Sequence, residues 1–288
     1  MRHFMSDTTH GNSGTPSNIP WYRLELAGKE ELNIRKVLDS GYLNDGETTR
    51  EFERQIALRV KCKYAVAVTS GTAAITLALI ACGIGSGDEV IVPNLTFIAT
   101  ANAARLAGAS VKLVDINRER LTLDVEAVAN AIGPRTRAIV SVDVNGRGCD
   151  YDALEKLCKK HGIHLVCDSA EALGSQWNGQ YLGSFGDAGC FSFSANKTIS
   201  CGQGGMVVTN DLSIYQRLLE LKDQGRRQTG SGGDDQHPAL GFNFKLTNLQ
   251  SAVGLAQLEK YEERLQNANR RDHWYRELLS SCSDIVFP

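Results

Sequence analysis

The strongest constraint on how this chain folds is a set of short runs, rich in Val and Ile, that lack polar alternation. They are "YAVAVTS" (64–70), "EVIVP" (89–93), "SVKLVDI" (110–116), "RAIVSVDV" (137–144) and "IHLVCDSA" (163–170). A strand with one wet face alternates apolar and polar side chains, whereas a run apolar at nearly every position has both faces covered. The segments between them, "TAAITLALIAC", "FIATANAARLAG", "LDVEAVANAI" and "YDALEKLCKKHG", carry their apolar residues at helical spacing. Two amphipathic helices, "KEELNIRKVLDS" and "TTREFERQIALRV", precede the series; the strands "GCFSFS" and "GGMVVTN" and the helix "DLSIYQRLLELKDQG" continue it. Strand and helix in turn predict an α/β fold with a mainly parallel central sheet flanked by helices.

The 288 residues suit one large domain plus part of a second. Residues 1–18 are expected to be a disordered tail, 19–245 the large domain, and 246–288 a long helix, roughly 247–281, followed by the first strand ("SDIVFP") of a truncated C-terminal small domain. The stretch "RRQTGSGGDDQHP" (226–238) reads as a mobile loop near the cleft, able to close over a substrate; it matches neither a P-loop nor a dinucleotide-binding turn. The tail has no apolar core of a secretory signal, and no run reaches the roughly 20 apolar residues of a membrane helix. Eight cysteines without a C-x-x-C pair read as free thiols in a reducing compartment, which places the protein in the cytoplasm. A net charge of -2 and the lack of a basic recognition helix exclude nucleic acid and membrane as partners. His161 and His164 in "KKHGIH" have no companions at ligand spacing, so no metal site is expected.

In a parallel α/β sheet, ligands gather beyond the carboxyl ends of the strands. "YAVAVTS" runs directly into a helix at Gly71 and Thr72, where free N–H groups and the helix dipole favour an anion. Taken alone this is equally a plain turn with a Thr cap. Asp168 ends "IHLVCD", with Glu171 close behind, and an isolated Lys197 stands between "CFSFS" and the glycine-rich "GQGG". An anion cradle, a strand-end acid and an isolated lysine together suggest pyridoxal 5'-phosphate. That cofactor needs a phosphate site, a carboxylate that keeps its ring nitrogen protonated, and an amine for its aldehyde.

Three stretches carry a resemblance: "FERQIALRVKCKYAVAVTSGTAAITLALIACGIGSGDEVIVPNLTFIATANA", "VCDSAEALGSQWNGQYLGSFGDAGCFSFSANKTISCGQGGMVVTND" and "LGFNFKLTNLQSAVGLAQLEK". From about residue 19 onward the chain resembles the nucleotide-sugar aminotransferases of the DegT/DnrJ/EryC1/StrS type, within fold type I, the aspartate-aminotransferase-like fold. "NKTISCGQGGMVVTND" is most similar to the branch that makes GDP-perosamine. The resemblance implies a pyridoxal-phosphate-dependent transaminase that passes an amino group, from glutamate, to a nucleotide-linked 4-keto-6-deoxy sugar for polysaccharide (O-antigen) synthesis. It implies that Lys197 bonds the cofactor aldehyde and moves protons, that Asp168 partners the ring nitrogen, and that Glu171 faces the phenolic oxygen or the substrate. Gly71, Thr72 and Ser192 become phosphate ligands, Phe97 the aromatic stacked on the ring, and Asn243 a phosphate contact given to the other subunit of a homodimer with shared active sites. Without the resemblance, Phe97 would be assigned to the core.

Two departures bear on these expectations. "VDVNGRGCD" puts Asp143 and Asn145 at an edge expected to face the substrate, where many relatives carry His or Tyr, and the chain is expected to lack the family's C-terminal small domain. Two alternatives stay open. One is a related sugar dehydratase, which Lys197 disfavours because those relatives carry histidine there. The other is a catalytically silent or regulatory cofactor-binding protein.

Overall fold

The computed structural model describes residues 20, 22–227 and 236–287. The expectations for the tail (1–18) and for the middle of the 226–238 loop fall outside them. The sequence of elements is α1 (Glu30–Ser40), α2 (Glu47–Val60), β1 (Tyr64–Val68), α3 (Gly71–Ala81), β2 (Glu89–Pro93), α4 (Ala99–Leu106), β3 (Ser110–Val114), α5 (Val125–Ala131) and β4 (Thr136–Val142). It continues with α6 (Tyr151–His161), β5 (His164–Asp168), β6 (Gln176–Trp177), β7 (Gln180–Tyr181), β8 (Ala188–Ser192), β9 (Gly205–Thr209), α7 (Leu212–Lys222), α8 (Asn248–Leu258) and α9 (Tyr261–Leu278).

Seven strands form one sheet in the order β1-β9-β8-β5-β4-β2-β3. The pairings β8-β5-β4-β2-β3 are parallel, and β9 runs against both β8 and β1. Six of the seven strands therefore point the same way, which accounts for apolar runs without alternation. Within β2, Val90 and Val92 enter one cluster with Leu77 of α3, Ala103 of α4 and Leu218 of α7, while Ile91 enters another with Val128 of α5 and Leu154 of α6. Val166 and Cys167 of β5 divide in the same manner. A third cluster lays Phe52 and Ile56 of α2 on Ala65, Ala67, Met206 and Val208. Each fully buried side chain of this kind contributes about 1.5–3 kcal/mol, so the sheet is held from both faces.

The edge strand β3 departs from the expected pattern, because of its five residues only Val114 is buried and Leu113 is exposed. The single long helix predicted from the sequence is two. It breaks after Leu258, where the amides of Glu259 and Lys260 bond the carbonyls of Ala256 and Gln257, an i to i−3 tightening that ends α8. Leu258 and Tyr261 stay in the core on either side of this break, while the rest of α9 is largely exposed. α8 starts at a capping box between Thr247 and Gln250 and packs on α1 and α2. "SDIVFP" forms no strand over its described residues 283–287. Sequence reasoning also passed over the β6–β7 hairpin, although its Asn178-Gly179 turn, with positive φ at both residues, is a strong hairpin signal. The eight cysteines form no disulfide. Among the described residues no helix is long and apolar enough to cross a membrane.

Candidate functional site

Because six strands share one direction, their carboxyl ends converge on one edge of the sheet. Ser70, Gly71 and Thr72 follow β1, Phe97 follows β2, Asp143 follows β4, Asp168 ends β5 and Ser192 ends β8. The reversed strand β9 brings its first residue to the same edge, since Gly205 is in register with both Val68 and Ser192. A Cβ on Gly205 would collide with the Ser70 carbonyl oxygen, so glycine is what lets the turn into α3 settle against β9. A cavity of ≈ 550 Å³ opens at this edge, within the usual range for small-molecule sites.

Seven of the eight site residues named from the sequence line that cavity: Gly71, Thr72, Phe97, Asp168, Glu171, Ser192 and Lys197. Asn243 does not. It is exposed in the segment that pairs with the edge of β1, and its side-chain oxygen accepts from Lys245 Nζ at 3.1 Å. Phe97 is 77 % exposed at the cavity rim, which overturns its assignment to the core.

At the anion end, α3 is capped by Ser70, whose hydroxyl accepts from the Ala73 amide at 3.1 Å, and not by Thr72, which lies inside the first turn. The amides of Gly71 and Thr72 are first-turn donors without intrahelical partners. A Cβ on Gly71 would stand 3.0 Å from Ser192 Cβ, so glycine keeps that end of the helix open beside the serine hydroxyl.

At the other end, Asp168 is 6 % exposed. Its Oδ2 accepts from Thr100 Oγ1 at 2.6 Å and its Oδ1 from the Ala170 amide at 3.3 Å. Burial pushes the carboxyl above the usual range, against these hydrogen bonds and the more distant Lys197. Thr100 was not singled out from the sequence; it is fully buried three residues beyond Phe97, behind the cavity, where its amide donates to the Phe97 carbonyl at 3.1 Å and its hydroxyl to Asp168.

Lys197 lies in the turn between β8 and β9, its side chain 18 % exposed, with Nζ 3.2 Å from Glu171 Oε1. Glu171 in turn accepts the Asn145 amide at 3.1 Å. Asp143 is buried, its carboxylate taking the hydroxyls of Tyr151 and Ser169, while Asn145 lines a neighbouring hollow beside Lys197. His164 sits at the start of β5, where its Nδ1 pairs with Asp187 at 3.2 Å.

The donor set fits pyridoxal phosphate. First-turn amides and a hydroxyl suit a dianionic phosphate, a buried carboxylate without a cationic hydrogen-bond partner suits a protonated ring nitrogen, and a half-shielded amine suits an aldehyde. Once held, that group supplies an electron-withdrawing ring, and the chain supplies the charges around it.

Comparison with known proteins identifies the family and the fold. Residues 25–288 match the model of the DegT/DnrJ/EryC1/StrS aminotransferase family. The GDP-perosamine synthase of Escherichia coli O157:H7 is 39% identical over 271 residues, which cover 93% of this chain and 73% of that protein. Among solved structures, S. venezuelae DesV superposes with a TM-score of 0.85 at 35% identity, over 90% of this chain and 70% of the other. The PLP form of Streptococcus pneumoniae Spr1654 gives a TM-score of 0.86 at 30% identity, over 92% of this chain and 72% of the other.

Proposed function

The chain belongs to the DegT/DnrJ/EryC1/StrS aminotransferase family, a family of pyridoxal-phosphate-dependent sugar aminotransferases, and from that premise we propose that it transfers an amino group from glutamate to a nucleotide-linked 4-keto-6-deoxy sugar. The likeness to GDP-perosamine synthase supports GDP as the nucleotide. The observation that carries the reading is the meeting of Lys197 and the buried Asp168 in one cavity, with the open N-terminus of α3 alongside.

In this reading the chain's own groups divide the work. The amides of Gly71 and Thr72 with the hydroxyls of Thr72 and Ser192 hold a phosphate. Phe97, exposed at the cavity rim, would offer its face to the ring of a bound cofactor. Asp168, held by Thr100, keeps a proton on the ring nitrogen through its negative charge. Lys197 carries protons between its Nζ and the reacting carbons in both half-reactions, and Glu171, 3.2 Å away, holds that amine in place. Asn243, exposed and outside the cavity, reaches the phosphate of a second copy in a homodimer. In that arrangement cofactor binding and association strengthen each other.

The test is spectroscopic. Purified protein supplied with pyridoxal 5'-phosphate should develop a visible absorption band, absent from Lys197→Ala, and borohydride should fix the label on the peptide that contains Lys197. A protein that stays colourless, or a label on another lysine, would sink the reading. Amination of a GDP-linked keto sugar with glutamate, measured beside alternative donors, then decides the substrates.

A further inference from the structure

One buried acid has no part in the scheme above. Asp143 stands one residue beyond β4, is 1 % exposed, and lines the same cavity as Asp168 and Lys197. Its Oδ1 accepts from Tyr151 Oη at 2.7 Å and its Oδ2 accepts from Ser169 Oγ at 2.6 Å. Its own amide donates to the Asp168 carbonyl at 3.0 Å. Asp143 therefore grips the end of β5 twice, through the carbonyl of Asp168 and through the hydroxyl of the next residue.

We propose that Asp143 is a positioning residue for Asp168 that also places a second negative charge behind it, so that the ends of β4 and β5 act together on a protonated ring. The inference rests on the reading of Asp168 as the partner of the ring nitrogen. An asparagine would hold Ser169 at a lower desolvation cost, so an acid at this depth is explained when its charge acts on the cavity.

The ionisable groups around Asp143 are Asp168 and Cys167 on β5, Cys149 before α6 and Tyr151 on it, Glu171 and Lys197 along the cavity, and Arg147 further along its own loop. α4 meets this end of the sheet through the uncharged Thr100, which donates to Asp168. Burial pushes the Asp143 carboxyl up to about 7, with Asp168 adding to the rise and the Ser169 and Tyr151 hydroxyls opposing it. A negative charge here raises the pH at which a cationic cofactor loses its proton, and the cation reciprocally lowers the pH at which Asp143 ionises.

The test reads the pH midpoint of the visible band of protein loaded with pyridoxal 5'-phosphate. In Asp143→Asn the midpoint should fall by about 0.5–1 pH unit, a roughly three- to tenfold loss of proton affinity, the scale for removing one nearby charge in a partly shielded site. Tyr151→Phe leaves the carboxyl in place but removes one hydrogen bond that favours its ionised form, so its midpoint should fall by less than in Asp143→Asn while its melting temperature drops. Asp143→Ser, which keeps an acceptor without the charge, provides the same downward shift if the Asn variant does not fold. An unmoved midpoint in a folded variant without the charge overturns the proposal. Asp168→Asn separates the two levels. A midpoint that moves there but not in the Asp143 variants removes this inference alone, and one that moves in neither removes the reading of Asp168 with it.

Discussion

Lys222 and Asp168 are both buried charged residues, and the fold surrounds them in opposite ways. Lys222, 0 % exposed at the end of α7, has Nζ 3.0 Å from Asp45 Oδ2 and 3.1 Å from Glu53 Oε1. Arg50 stands 3.6 Å and 3.9 Å from the same two acids, and the Ala67 amide donates to Glu53 at 2.7 Å. Burial alone would lower the Lys222 pKa, and the Glu53 and Asp45 carboxylates more than reverse that, so it ends raised. The cluster joins α2, β1 and α7 and pairs each acid with a cation, although Asp45 Oδ1 has only the 3.6 Å ion pair with Arg50 and no hydrogen bond. Asp168 has only a hydroxyl and an amide within hydrogen-bond distance among the described residues, and its pKa ends raised because burial is not offset. A charge that serves architecture is neutralised by its neighbours, whereas one that serves chemistry is left for a ligand to neutralise.

The contrast breaks most sharply at Lys222. Lys222→Met leaves Asp45 and Glu53 buried without their main cation, and urea unfolding should show a loss of about 3–5 kcal/mol, while turnover per folded molecule stays as it was. A loss below about 1 kcal/mol would mean that Arg50 alone suffices and the cluster is not the structural counterpart claimed for it.

Next in size is Asp168→Asn, with the opposite signature. The half-reaction rate should fall about 10²-fold or more, the scale for removing a preorganised charge. Without ligand, stability at neutral pH should be unchanged or higher. An acid whose folded pKa is raised makes the native state less stable as pH rises above its unfolded value, and the amide removes that penalty while still accepting from Thr100. A variant that keeps its rate and loses stability reverses the comparison.

The smallest effect sharpens it with a solvent-screened pair. The hydrogen bond to Asp187 raises the His164 pKa above its ordinary 6.5 despite partial burial, so its stabilisation is fully present below that value and fades as pH rises through the higher folded one. His164→Gln should cost about a few tenths of a kcal/mol on the acid side and nothing on the alkaline side, measured by urea unfolding across that window. An equal cost at both ends would assign His164 to packing.

Much of the site was legible because its residues stand at strand ends. Apolar runs located β1, β2, β4, β5 and β8, and whatever follows such a run in a parallel sheet faces the ligand edge, which is how Gly71, Thr72 and Asp168 could be named together, whereas Ser192 was reached only through the family resemblance. Thr100 and the Asp143–Tyr151–Ser169 network escaped notice because their roles depend on contacts between residues distant in sequence, which no local spacing encodes.

By itself the sequence determined the alternation of strand and helix, since the period of apolar side chains is a local property that each segment carries with it. It also determined which side chains end the strands. Only the tertiary structure decided the order β1-β9-β8-β5-β4-β2-β3, the reversal of β9 that brings Gly205 against Ser70, and the end of α8 at Leu258. It alone also tied Asp143, which lines the cavity as expected of a substrate-facing edge, to Tyr151 and Ser169 behind it. The reason is physical: strand neighbours and buried hydrogen bonds are chosen by the joint free energy of segments far apart in the chain, and a charge becomes costly or useful only when that packing has excluded the water around it.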